Sequence, residues 1–142
     1  MTAEKYRLIL VEDADDDVDL FRKALTRSGL DPYFEIAHCF PNGEEAIKYF
    51  SKAPSELQPG TRPEIAIIDI SLPGLNGFEV IAAMRKNPAR PVIGIFTSSQ
   101  LAEDKEKASA LAADIFLTKT FDSPDFGRFL HFLSRVADER RA

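Results

Sequence analysis

Four short apolar runs and one weakly alternating run divide the chain, and each has the length of a β-strand. They cover residues 6–11, 33–39, 65–69, 92–96 and 115–118. The third run is rich in isoleucine and ends at Asp69. An unbroken run of β-branched residues is typical of a strand buried on both faces, as in the middle of a parallel sheet. Asp69 is therefore predicted to stand at the carboxyl end of a central strand, where an unpaired charge is expensive to bury.

Apolar residues spaced three or four apart predict a helix after each strand. The predicted helices run from the aspartates at 15–17 to about residue 28, over 44–51, from 78 to before Pro88, over 101–113, and from Pro124 onward. The fourth helix is rich in alanine, so we expect it to be the most loosely packed. Residues 52–63 contain three prolines and a glycine and predict an exposed loop. Alternating strands and helices favour a parallel sheet covered on both faces.

The length, composition and charge of the chain indicate which classes of protein it can belong to. The 142 residues suit one domain, and 44% hydrophobic with 29% charged residues is ordinary for a soluble globular chain. The net charge is −5 and no cluster of lysine and arginine is visible, so no nucleic-acid partner is expected. No apolar run reaches the ~18 residues of a membrane span and no signal peptide is visible, so we expect a cytoplasmic protein without membrane contact. Cys39 is the only cysteine, which excludes an internal disulfide.

Polar side chains follow four of the five predicted strands at the point where each strand ends. They are Glu12 and Asp13 after the first strand, Asp69 after the third, Thr97 after the fourth and Lys119 after the fifth. The carboxyl ends of parallel strands meet at one edge of the sheet, where ligands bind in such folds. We therefore expect these side chains to lie together. Capping of the following helices would explain some of the acids, but it would not require a lysine.

Three carboxylates at one edge repel one another unless they take up protons or bind a cation. Mg²⁺ prefers oxygen ligands and keeps several of its waters, so two acids and a backbone carbonyl suffice. We expect Asp13 and Asp69 as direct ligands, and the carbonyl oxygen of Ser71 as a third. Glu12 would act through a water molecule. The predicted cofactor is therefore Mg²⁺.

A cation, a lysine and a hydroxyl at one edge are typical of a phosphoryl-binding site. Lys119 would neutralise phosphate oxygens, and Thr97 would donate a hydrogen bond to one of them. The sequence has no Gly-rich Walker loop and no dinucleotide fingerprint, so a nucleotide is not the obvious donor. The phosphoryl group would then be received by the protein itself, and the carboxylate of Asp69 is placed to act as the nucleophile.

Four stretches carry a resemblance to a known family. They are Leu-Ile-Leu-Val-Glu-Asp at 8–13, Ile-Ile-Asp-Ile-Ser-Leu-Pro-Gly-Leu-Asn-Gly at 67–77, Thr-Ser-Ser at 97–99 and Leu-Thr-Lys at 117–119. Their order and spacing resemble the response-regulator receiver domain of two-component signalling over essentially the whole chain. The resemblance implies a flavodoxin-like, doubly wound α/β fold, (βα)5, with strand order 2-1-3-4-5 and the phosphohistidine of a histidine kinase as phosphoryl donor.

The resemblance also implies a role for each site residue. Carried over position by position, the roles are an acidic pair for Mg²⁺ (Glu12 and Asp13), the phosphoacceptor (Asp69), the switch hydroxyl (Thr97), the phosphate-contacting lysine (Lys119) and the aromatic switch (Phe116). Two positions depart from the family pattern. Thr120 stands where a proline joined by a cis bond usually follows the lysine, so we expect either a trans peptide with a reshaped loop or a strained cis peptide. Phe116 lacks the hydroxyl of a tyrosine and cannot hold either of its positions by a hydrogen bond.

Residues 1–142 are expected to form a single receiver domain without an output domain. The phosphorylated protein would then signal by protein contact or pass the phosphoryl group on, and it would not be an enzyme. The missing proline and the loop at 52–63 resemble stand-alone regulators that work with bacterial phytochrome kinases. Phe132, beside the apolar stripe of the last helix, is either a partly exposed aromatic residue or a contact in a homodimer.

Two other interpretations use the same residues. A degenerate receiver would bind a partner without being phosphorylated, but the acidic pair, Asp69, Thr97 and Lys119 are all present. A phosphatase of the haloacid-dehalogenase type would also form an aspartyl phosphate. Such enzymes carry a second acid two residues after the nucleophile, and Ser71 occupies that position here.

Overall fold

The computed structural model describes residues 5–51, 65–72, 74–86, 91–99, 101–111, 113–121 and 124–141. Its strands are β1 (Tyr6–Val11), β2 (Phe34–Phe40), β3 (Ile65–Ile68), β4 (Val92–Thr97) and β5 (Ile115–Thr118). Its helices are α1 (Asp15–Arg27), α2 (Gly43–Phe50), α3 (Gly77–Arg85), α4 (Ala102–Ala110) and α5 (Asp125–Arg141). The predicted order of elements is confirmed, and the ends of the elements differ from the sequence-based ranges by a few residues.

All neighbouring strands are parallel, and their order in the sheet is β2-β1-β3-β4-β5. The register pairs Leu8 of β1 with Ile65 of β3, and it pairs Ile65 with Val92 of β4. Both β3 and β4 are buried along their whole length, as expected of strands covered on both faces. The predicted flavodoxin-like, doubly wound fold is confirmed.

Two apolar clusters, one on each face of the sheet, hold the helices in place. The first cluster joins α1 and α5 to the strands through side chains that include Phe21 and Phe126. The second joins α2 and α3 through side chains that include Ala46 and Ile81. Among the described residues of α4, Ala108 is the only one that is buried. This agrees with the loose packing predicted for the alanine-rich helix.

Two asparagines fix the starts of helices that cover the second face. The side chain of Asn42 accepts a hydrogen bond from the backbone N–H of Glu45 at 2.9 Å, and Asn76 accepts one from that of Glu79 at 3.1 Å. Each therefore caps its helix. The loop predicted at 52–63 lies outside the described residues. Within the described ranges, no helix has the length and apolar character needed to span a membrane.

Candidate functional site

Asp69 directly follows β3, and the strand and the next helix fix its position. Its backbone N–H donates to the carbonyl oxygen of Val11 at 3.0 Å, which continues the pairing of β3 with β1. At the start of α3, Gly77 packs so closely that a Cβ there would lie 2.5 Å from the carbonyl oxygen of Asp69. The Asp69 side chain is only 5% exposed. The structure thus places a buried acid at the carboxyl end of a central strand, where the sequence predicted it.

Both carboxylate oxygens of Asp69 have hydrogen-bond donors. Oδ1 accepts from the hydroxyl of Thr97 at 2.8 Å and from the backbone N–H of Ser71 at 2.9 Å. Oδ2 accepts from Nζ of Lys119 at 3.0 Å. In the part of the chain that the structure describes, every buried side-chain nitrogen or oxygen has a partner. The charge that is expensive to bury is therefore compensated by donors at the ends of β4 and β5.

The ammonium group of Lys119 joins three acids from three parts of the fold. Nζ lies 2.7 Å from Oε2 of Glu12, 2.5 Å from Oδ2 of Asp17 and 3.0 Å from Oδ2 of Asp69. Burial alone would lower the pKa of Lys119, but hydrogen bonds to the three carboxylates, with Asp17 foremost, outweigh it and raise the pKa. Lys119 is therefore fully charged at neutral pH.

Glu12, Asp13 and Asp69 form a group that could hold a metal ion. One carboxylate oxygen from each residue lies within 4.8 Å of the other two. Asp13 is exposed, so the group opens to solvent on its side. A set of oxygen ligands with room for water suits Mg²⁺, and the residues therefore fit the predicted cation. The backbone N–H of Ser71 donates to Asp69. That the carbonyl oxygen of Ser71 is a metal ligand stays a prediction.

The surroundings of Glu12 raise the pKa of its carboxyl group. Burial raises the pKa of this carboxyl group from its ordinary value of 4.5 to about 7, and the charge of Asp69 adds to the rise. Hydrogen bonds from Lys119 and from the backbone N–H of Ala14 act in the opposite direction without cancelling it. A divalent cation at this position would favour the ionised carboxylate.

Phe116 lies where β5 meets α4. It is paired with Ile95 of β4, and its half-buried ring packs against the apolar cluster on the second face of the sheet. Nζ of Lys105, from α4, lies 5.8 Å from the centroid of the ring. The predicted role of Phe116 as an aromatic switch stays a prediction.

Asp17 belongs to the site although the sequence alone does not single it out. It is one of three consecutive aspartates, all of which suit the positive end of a helix dipole. Asp15 and Asp16 are exposed, whereas Asp17 is partly buried and stands four residues before the buried Phe21. Residues four apart share a face of a helix, so an acid on the inward stripe of α1 is the feature that distinguishes Asp17.

The sequence matches the response regulator receiver domain over residues 8–129. The chain belongs to this family. All the receiver residues that surround Asp69 lie within the matched range, including Asp17 near its start and Lys119 near its end.

This receiver is similar to three known proteins over most of its own length. The transcriptional regulatory protein PcoR of Escherichia coli is 27% identical over 136 residues, which are 96% of this chain and 54% of PcoR. The bacteriophytochrome response regulator AtBRR is 26% identical with a TM-score of 0.72, covering 93% of this chain and 94% of that structure. The response regulator TrrA of Thermotoga maritima, solved in complex with Mg²⁺ and BeF, is 26% identical with a TM-score of 0.69, covering 90% of this chain and 98% of that structure. The chain spans about half the length of the curated relatives that it matches.

Proposed function

We propose that this receiver accepts a phosphoryl group on Asp69 from the phosphohistidine of a histidine kinase, with Mg²⁺ held beside it. The surroundings of the Asp69 carboxylate carry the proposal. A hydroxyl, a backbone N–H and an ammonium group lie within 3.0 Å of its oxygens. Two further acids, Glu12 and Asp13, offer oxygens within 4.8 Å and would hold the cation. Such a site combines a nucleophile with groups that stabilise phosphoryl charge.

In the transfer, an oxygen of Asp69 forms a bond to phosphorus while the P–N bond to the donor imidazole breaks. The imidazole nitrogen keeps the electron pair and takes a proton from solvent, and the product on the protein is an acyl phosphate. Bound Mg²⁺ supplies positive charge beside the phosphoryl oxygens. Lys119 donates to Asp69 before the reaction, so its ammonium is placed to donate to a phosphoryl oxygen afterwards.

Phosphorylation would also change the acceptor of the Thr97 hydroxyl. The phosphoryl group adds about −1.5 to −2 charges and three acceptor oxygens. Thr97 then turns its hydroxyl toward this group, and Phe116 fills the space that Thr97 leaves. The movement changes the surface formed by α4, β5 and α5. The slight burial of α4, with Ala108 in the core, supports this helix as the element that moves.

The receiver would signal through this surface by binding a downstream protein, or it would pass the phosphoryl group to a phosphotransfer protein. It acts as a single receiver domain within residues 1–142 and not as an enzyme on a separate substrate. The likeness to AtBRR, a bacteriophytochrome response regulator, supports a bacterial phytochrome as the kinase. The net charge of −5 supports a protein and not a nucleic acid as the partner, and we infer that the receiver works in the cytoplasm without membrane contact.

Incubation with phosphoramidate and Mg²⁺, followed by measurement of the intact mass, tests the phosphoacceptor. Phosphoramidate presents a P–N bond, as phosphohistidine does. We expect a single added phosphate on the wild type and none on Asp69→Asn. Asp19→Asn removes an exposed acid of α1 and is the matched control, which should be labelled like the wild type. Equal labelling of Asp69→Asn and the wild type would overturn the proposal.

We also propose that the C-terminal helix forms a homodimer contact. Phe132 on α5 is 41% exposed, whereas Phe129 and Leu133 of the same helix are buried. An exposed aromatic ring gains apolar contact when a second copy covers it. Light scattering measures the mass of the protein in solution, with and without Mg²⁺ and beryllofluoride, a phosphoryl mimic. We expect a dimer that Phe132→Ser prevents. Tyr33→Ser changes another exposed aromatic, at 57%, and should leave the dimer intact. A monomer under both conditions would reject the contact.

A further inference from the structure

Asp17 makes the shortest of the three ion-pair contacts of Lys119. Its Oδ2 lies 2.5 Å from Nζ, whereas the distances to Glu12 and Asp69 are 2.7 Å and 3.0 Å. Helix α1 places Asp17 there because the residue stands one turn before the buried Phe21. The phosphoryl transfer proposed above uses the other residues of this group but gives Asp17 no part.

The three partners of Lys119 differ in their relation to the metal site. Glu12 and Asp69 belong, with Asp13, to the carboxylates whose oxygens lie within 4.8 Å of one another. Among the described residues, Asp17 lies outside that group. A divalent cation that binds Glu12 and Asp69 competes with the ammonium for the same carboxylates and repels it. Asp17 is then the acid that can keep Lys119 paired.

A small cavity lies beside Lys119, and α1 forms part of its wall. The metal-site residues Glu12 and Asp69 line this cavity together with Asp17, and Val18 and Phe21 of α1 supply apolar wall. The methylene stem of a lysine packs well against apolar surface while its charged end keeps a polar partner. Asp17 is thus the partner of the ammonium on the α1 side of this cavity, and it stays available to Lys119 when a cation takes the other two carboxylates.

We propose that Asp17 is a positioning residue that holds Lys119 clear of the metal ligands, so that the cation and the ammonium occupy the site together. This inference rests on the proposed function, because the metal site concerned is the one that serves phosphoryl transfer. Without Asp17, the carboxylates of the metal site are the remaining partners of the ammonium among the described residues, and the cation competes with it for them. Asp17 therefore strengthens Mg²⁺ binding through Lys119 and not as a ligand.

Calorimetric titration of the full chain with Mg²⁺ tests the inference. Asp17→Asn should weaken Mg²⁺ binding by about threefold or more relative to Asp16→Asn, since coupled residues in contact show effects of this size. Asp16 is an exposed neighbour on α1, so its variant controls for the loss of one negative charge. Both variants are then compared in a Lys119→Met background, where they should have equal effects. Lys119→Gln serves as the background if the methionine variant does not fold.

Two results would overturn the inference. One is equal Mg²⁺ affinity of Asp17→Asn and Asp16→Asn in the wild-type background. The other is a loss in Asp17→Asn that persists undiminished without Lys119, because Asp17 would then act on the cation directly.

Phosphoramidate labelling separates this failure from failure of the proposed function. At saturating Mg²⁺, Asp17→Asn should still be labelled, because the Asp69 carboxylate is intact. If neither the wild type nor Asp17→Asn is labelled, the proposed function fails. If the wild type and Asp17→Asn are both labelled but Asp17→Asn has the same Mg²⁺ affinity as Asp16→Asn, only the role of Asp17 is refuted.

Discussion

Thr97 donates its hydroxyl proton to Oδ1 of Asp69 across 2.8 Å, and both side chains are buried. The two residues stand at the ends of the neighbouring strands β4 and β3, so the sheet itself sets this distance. A hydroxyl has a single proton and can donate one full hydrogen bond. Thr97 can therefore donate to a phosphoryl oxygen only if it releases Oδ1 of Asp69.

Thr97→Ala should leave phosphorylation intact and uncouple it from the change in surface. Asp69 keeps the donors Ser71 and Lys119, so the nucleophile stays in place. No hydroxyl can then follow the phosphoryl group, and Phe116 has no new space to enter. Fluorine NMR of protein labelled with fluorophenylalanine, with and without Mg²⁺ and beryllofluoride, measures the movement. Phe116→Leu assigns the signal.

Thr97→Ser is the matched control for this experiment because it keeps the hydroxyl. Its Phe116 signal should shift on activation as the wild-type signal does. A shift in Thr97→Ala as large as that of the wild type would show that Phe116 moves independently of Thr97.

Lys119→Met should lower the free energy of unfolding in metal-free buffer by roughly 3 kcal/mol, because it leaves largely buried carboxylates without their cation. Mg²⁺ should restore part of this loss, since a ligand that binds only the folded state stabilises it. Urea denaturation with a chelator and then with Mg²⁺ measures both effects. Lys23→Met changes an exposed lysine of α1 and should have little effect. An equal gain from Mg²⁺ in Lys119→Met and the wild type would show that ammonium and cation do not share ligands.

The sequence predicts Glu12, Asp69 and Thr97 at one edge because each is the first polar residue after an apolar run. Parallel strands then bring these ends together without further information. Asp17 is not predictable in this way, because it follows no strand and all three successive aspartates suit a helix N-terminus; its signal is the spacing of four residues to the buried Phe21. The sequence also did not predict that the N–H of Ser71 donates to Asp69, and the role of the Ser71 carbonyl oxygen stays a prediction. The direction of a backbone group depends on the turn after β3, which apolar periodicity does not encode.

The raised pKa of Glu12 predicts how stability depends on pH in metal-free buffer. Burial raises this pKa from 4.5 to about 7, so between these values the folded protein holds a proton that the unfolded chain has released. The contribution of Glu12 to the free energy of unfolding is therefore fully present below pH 4.5 and is lost as the pH rises to about 7. Urea denaturation across this window should show a falling stability that Glu12→Gln flattens. Glu106→Gln alters an exposed acid of α4 and should keep the wild-type slope. Equal slopes in Glu12→Gln and the wild type would contradict the assignment.

Gly77 begins α3 against the backbone that carries Asp69. A Cβ at this position would lie 2.5 Å from the carbonyl oxygen of Asp69 and 2.6 Å from Cα of Ile70. Both are backbone atoms, so they cannot give way without displacing the carboxylate. Gly77→Ala should therefore lower the free energy of unfolding by about 1–3 kcal/mol, which is typical of overpacking. It should also slow labelling by phosphoramidate, which the intact mass measures as a function of time.

Gly127→Ala on α5 is the matched control for the added methyl group. A Cβ at Gly127 would meet nothing within 4 Å, and alanine favours a helix over glycine by up to about 1 kcal/mol. This variant should therefore be as stable as the wild type or more stable, with unchanged labelling. Stability and labelling rate should fall together in Gly77→Ala, because the same backbone atoms support the start of α3 and the nucleophile. A Gly77→Ala protein that is destabilised but labelled at the wild-type rate would show that the position of Asp69 does not depend on this close approach.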